Sequence, residues 1–104
     1  MTLSELKQRC DTAKIPYAYG EFKDIQEPPF LALRLQNDTN FVADNKVYKK
    51  KNLYNLYYVF SEKNIDTENL IEDTILADVV WTKNSETYIK QENVFETIYT
   101  FEIQ

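Results

Sequence analysis

The eight residues Leu53-Tyr54-Asn55-Leu56-Tyr57-Tyr58-Val59-Phe60 narrow the fold more than any other segment of the chain. Successive side chains of a strand point to opposite faces, so Tyr54, Leu56, Tyr58 and Phe60 make one apolar face. Leu53, Tyr57 and Val59 leave the other face largely apolar too. A strand that is wet on neither face normally lies in the middle of its sheet or at a subunit contact. The fold is therefore expected to grow outward from this segment.

The elements around it follow from periodicity and punctuation. Thr2 with Glu5 three residues on has the capping-box arrangement, and Leu3, Leu6, Cys10 and Ala13 recur at helical spacing behind it. Ile15-Pro16 ends that helix, because the residue before proline is pushed out of the α region. Tyr17 to Tyr19 reads as a short strand running into Gly20, and the polar, proline-bearing stretch from Glu21 to Pro29 as a loop. Phe30 to Leu35 reads as a strand with Leu31, Leu33 and Leu35 on one face, and Gln36-Asn37-Asp38-Thr39-Asn40 as turn chemistry after it. Phe41 to Tyr48 is open between a strand broken at Asp44-Asn45 by a turn and one bulged there.

A second helix is expected from a cap at Asp66 or Thr67, with Leu70, Ile71, Ile75 and Val79 as its buried stripe and Glu68 and Glu72 on its solvated face. An extended stretch from Val80-Trp81 to Lys90, a hairpin loop at Gln91-Glu92-Asn93 and an alternating strand from Val94 to Ile103 close the chain. The expectation is one α+β domain over residues 1–104, ordered α-β-β-β-α-β-β, with two helices on one face of an antiparallel or mixed sheet.

The residue inventory limits the chemistry. The chain has no histidine, one cysteine and one glycine among 104 residues. It thus lacks the commonest general base and metal ligand, any Cys–His or Ser–His pair, and a glycine-rich phosphate loop. Asp38 and Asp44 flank a turn-like segment without the spacing of an EF-hand. Catalysis, cofactors and metals are not expected. Cys10 lies on the apolar helical stripe and reads as a buried small hydrophobe, and a single cysteine allows no internal disulfide, which suits a cytosolic setting. No secretory pattern opens the sequence, and no apolar run reaches the length of a membrane span.

Net charge is −5, so a general electrostatic footprint for nucleic acid is absent. Against that background Lys49-Lys50-Lys51 stands out, as a solvated strand start, as a contact for an acidic neighbouring subunit or, least of all, as a phosphate contact. Eight Tyr, six Phe and one Trp exceed what a small core needs to be well packed, and some of that aromatic area suits a protein interface. Tyr54, Tyr57, Tyr58 and Phe60 also invite comparison with base-stacking sheets, but the flanking sequence lacks the basic residues of such platforms.

The string Asn40-Phe41-Val42-Ala43-Asp44-Asn45-Lys46-Val47-Tyr48, followed by the Leu53–Phe60 strand, resembles small tail proteins from phages and prophages of Gram-positive bacteria. An N-terminal helix ending in Pro-Tyr-Ala-Tyr, Pro-Pro-Phe leading into a strand, a late acidic helix and a Tyr-rich closing hairpin extend the likeness over nearly the whole chain. The resemblance implies a tail terminator or tail completion protein of the head–tail junction, forming a homo-oligomeric ring in the virion and meeting tail-tube and head-connector proteins. The host cytoplasm would be its location during assembly, and in isolation the chain would be either a monomer or the ring. By the same resemblance Phe41, Ala43, Asp44, Asn45, Lys46 and Tyr48 would lie in or beside a functional loop, with Lys49, Lys50 and Lys51 as further contacts. The alternative is a monomeric, prophage-encoded adaptor that binds another protein.

Overall fold

A computed structural model describes residues 1–23, 26–43, 46–84 and 86–103, and between residues 37 and 51 its backbone alone. Helix α1 spans Leu3–Ala13. The Glu5 N–H donates to Thr2 Oγ1 at 3.2 Å, so one of the donors orphaned at the helix start is satisfied by the expected cap. Lys14 stops the helix in the left-handed conformation, and its N–H bonds back to the last carbonyls. Strand β1 (Tyr17–Tyr19) follows and runs into Gly20, whose φ of +81° is cheap only for glycine.

Strands β2 (Phe30–Ala43) and β3 (Lys46–Phe60) form one long antiparallel hairpin. Here the structure departs from the sequence-based expectation. Residues 36–40 are not a turn: β2 continues through them with a register shift at Gln36, and the chain reverses between Ala43 and Lys46, which are paired. The polar Asn-Asp-Thr-Asn run is accommodated because every residue from Asn37 to Phe41 finds a partner on β3, and ladder pairing outweighs local turn preference. Of the two readings left open for Phe41–Tyr48, a break between two strands is the observed one.

Helix α2 covers only Ile65–Leu70 and is capped by Asn64, whose Oδ1 accepts from the Thr67 N–H at 3.1 Å; the expected caps, Asp66 and Thr67, lie inside it. It passes directly into a π-helical turn at Ile71–Ile75, closed by the Leu76 N–H on the Ile71 carbonyl. This wider turn swings Leu76 inward beside Ile71 and Ile75, while Leu70 is left at the surface. The extended stretch that follows is two short strands, β4 (Trp81–Lys83) and β5 (Thr87–Ile89), both paired with β6 (Val94–Ile103).

The sheet order is β1-β2-β3-β6-β4, with β5 further along the same edge of β6; β1 is parallel to β2 and the other pairings are antiparallel. The fold is α+β, and β3 is central, as its two apolar faces require. Leu31, Leu33, Tyr54, Leu56, Tyr58, Phe60, Tyr99, Phe101 and Ile103 share a single core cluster with Leu6 and Cys10 of α1 and with Ile71, Ile75 and Leu76. Rings carry much of the packing: Tyr58 stacks on Phe60 at 4.7 Å, and Trp81 meets Tyr99 edge-on at 5.6 Å. Three of the four rings that might have formed a base-stacking platform are therefore core.

Candidate interaction surfaces

The densest charge cluster lies where α2 meets the sheet edge. Glu68 accepts from Lys83 at 2.7 Å and is ion-paired with Lys63 at 2.7 Å, and Glu72 accepts from Lys83 at 2.8 Å and from the Tyr99 hydroxyl at 2.7 Å. Lys63 also pairs with Glu86. Glu68 is 3% exposed, which corrects its assignment to a solvated helix face: the short helix turns it toward two lysines of the flanking segments. Burial pushes the Glu68 carboxyl up, and the hydrogen bonds from Lys63 and Lys83 outweigh that and hold it below its ordinary value. Burial drives the Tyr99 phenol far above its ordinary range, and the hydrogen bond to Glu72 adds to this. Both carboxylates and both ammonium groups are committed to one another, so the cluster fastens α2 to β4 and leaves no poised acid or base. Among the described residues, no group of three or more Cys, Asp or Glu side chains is arranged to hold a metal ion.

A second feature is the hairpin arm. β6 pairs with β3 only from Asn52 to Phe60, and β1 pairs with β2 only from Leu31 to Leu33. Beyond Asn52 the hairpin has no neighbour on either side among the described residues, and residues 38–43 with 46–51 continue as a two-stranded ribbon. Six residues of antiparallel strand reach roughly 20 Å, in keeping with overall extents of 49 × 29 × 26 Å. The ribbon carries every candidate contact position that is described. Its register sets Phe41 opposite Lys49, Asn40 opposite Lys50, Thr39 opposite Lys51 and Ala43 opposite Lys46. Tyr48 falls at the register shift between Phe41 and Val42 and has no partner position across the ladder. Asp44 and Asn45 lie outside the described residues. The lysine run is inside β3 and not at its start.

The third feature is the sheet face turned away from the core cluster. Ala32, Tyr57, Val59 and Val94 lie on it with Phe30, Ile89 and Ile98. Ala32, Val59 and Val94 are buried, and Phe30, Tyr57, Ile89 and Ile98 remain half-exposed. A groove of about 190 Å³ crosses this face, with Phe30, Tyr57 and Val59 in its floor and Glu92 and Glu96 beside it. Burial raises the Glu96 carboxyl, Arg34 opposes that and Glu92 adds to it. Neither Glu92 nor Glu96 has an ion-pair partner among the described residues. Arg34, the cation of this groove, is engaged by Glu21 at 3.2 Å and lies 5.5 Å from the Tyr57 ring centre. Sequence reading identified the apolar second face of β3 but missed Glu92 and Glu96 as neighbours of it. No local signal marks them, because Glu96 meets Val59 only through the register of β6 on β3.

Compared with family models and with curated proteins, the chain matches none. Among the described residues, no helix is long and apolar enough to cross a membrane.

Proposed function

We propose that this protein is a structural subunit of a phage virion, a tail terminator or tail completion protein of the head–tail junction, acting through contacts between subunits. The observation that carries the reading is the arm. An isolated two-stranded hairpin is marginal in water, and its outer backbone edges offer unpaired N–H and C=O groups. Such a device makes sense when it is completed by another polypeptide. The sequence string that resembles phage tail proteins coincides with this arm and the lysines next to it.

The experiment is to measure assembly with and without the arm. Replacing Thr39–Lys51 by Asn-Gly keeps the Asp38–Asn52 pair and every residue that β6 touches, and closes the hairpin with a favoured two-residue turn. Native mass spectrometry of the full chain, alone and with tail-tube protein, is expected to give a closed oligomer or a tube-capping complex. The shortened chain should fold and remain monomeric. A full-length chain that stays monomeric at millimolar concentration and ignores the tube protein overturns the reading.

A further inference from the structure

We infer that the open-face groove beside Glu92 and Glu96 is the receptor for the lysine-bearing arm of a second copy of this chain. The inference rests on the assembly reading above and names the surface through which assembly occurs.

Charge division within the chain supports it. Residues 38–51 hold four lysines and two aspartates, a net +2, while the remainder holds eight basic and fifteen acidic residues, a net −7. The arm is thus a cationic segment in an otherwise anionic chain. On that body many carboxylates are already matched: Glu68 and Glu72 by lysines, Asp78 by Arg9 and Glu21 by Arg34. Glu92 and Glu96 have no ion-pair partner among the described residues, the nearby Arg34 being engaged by Glu21, and they border half-exposed Phe30, Tyr57 and Ile89. A lysine segment docking there neutralises the carboxylates while covering apolar area that the fold leaves open.

The arm continues β2 and β3, with register shifts at Gln36 and after Phe41, and the groove lies on the face of those same strands, so docking within one chain would require the ribbon to fold back on the strands that it extends. The occupant is therefore another copy. Because arm and groove are different patches, the contact is heterologous, and repeating it closes a ring or extends a filament.

Charge reversal tests this. Lys49→Glu/Lys50→Glu/Lys51→Glu and Glu92→Lys/Glu96→Lys are each expected to weaken self-association at least 10-fold in sedimentation velocity, because like charges then face each other. An equimolar mixture of the two is expected to recover it, since each variant's arm then matches the other's groove. If Glu96→Lys disturbs the half-buried site enough to unfold the chain, Glu92→Lys alone, on the exposed loop, carries the same comparison. Wild-type-like association of the groove variants, or a mixture that fails to recover, overturns the groove as receptor while leaving assembly standing. A wild-type chain that never associates, with or without tail-tube protein, overturns the assembly reading itself.

Discussion

Arg9 of α1 grips Asp78 with both guanidinium nitrogens, Nη1 to Oδ1 at 2.7 Å and Nη2 to Oδ2 at 3.0 Å, across 69 residues of sequence. Nη1 also donates to the Ile75 carbonyl at 3.0 Å, where the π-helical turn ends. One side chain thereby ties the first helix to the irregular end of the second and satisfies a carbonyl that the π turn leaves over. The hydrogen bond from Arg9 and its positive charge hold the Asp78 carboxyl at about 2, below its ordinary 3.8.

A carboxyl whose folded value is depressed stabilises the fold above its unfolded value and ceases to do so as pH falls through the folded one. Asp78→Asn is therefore expected to lower the melting temperature at pH 7, with the difference from wild type closing between about pH 4 and pH 2. Arg9→Ala should be the more harmful change, at about 1 kcal/mol after allowance for partial exposure, because the Ile75 carbonyl loses its donor as well. Thermal melts across that pH range check both.

Removing Glu68 takes from two partly exposed ammonium groups the buried carboxylate that they share. Glu68→Ala is expected to cost about 2–3 kcal/mol, below the full penalty for a broken buried pair, since Lys63 keeps Glu86 and Lys83 keeps Glu72. Tyr99→Phe removes only the hydroxyl donated to Glu72 and should cost about 1 kcal/mol. Urea denaturation with an unchanged m-value would check the ranking, and a larger loss for Tyr99→Phe would contradict it.

Thr97 is fully buried on the core face of β6, and its hydroxyl has no hydrogen-bond partner among the described residues. Thr97→Val keeps the shape and removes the orphaned polar group. A gain of about 1 kcal/mol, or roughly 4–8 °C in melting temperature for a domain of this size, is expected. Calorimetry decides the sign.

Cys10 is fully buried, and its thiol is pushed up to about 12 by that burial, with the charge of Asp11 adding to the effect. Thiol labelling of the native protein at pH 8 should run roughly 1000-fold slower than in denaturant, because the thiolate is scarce and enclosed. Fast native labelling would mean that α1 opens readily.

Amide exchange should divide β3 in two. Residues 54–59, paired on both sides by β2 and β6, are expected to approach the protection of global unfolding, and residues 46–51 to exchange quickly in the free protein and slowly in the assembly. Equal protection along the strand in the free protein would show that the arm needs no partner.

How far the sequence was legible depended on how local each signal was. The Thr2 cap and the alternation of Val94–Ile103 are local, and both appear in the structure, while α1 ends just ahead of Ile15-Pro16, at a left-handed Lys14. The Asn37–Asn40 run was misread because its strand state comes from pairing with residues 50–53, which local turn preference does not register. Glu68 was misplaced for a related reason. Its partners Lys63 and Lys83 lie 5 and 15 residues away on other elements, and the π turn shortens the regular helix that periodicity had extended to Val79. Of the candidate contact positions, the register gathers those described into one ribbon, whereas the groove required the assembled sheet.

The central position of β3 has a consequence during synthesis. Its partner on one side, β2, precedes it, but its partner on the other, β6, is completed 43 residues after Phe60. At about 5–20 residues per second, the nascent chain carries this apolar strand with one edge bare for roughly 2–9 s. That interval, longer than most small domains take to fold, is when chaperone holdases or neighbouring nascent copies have their access to it.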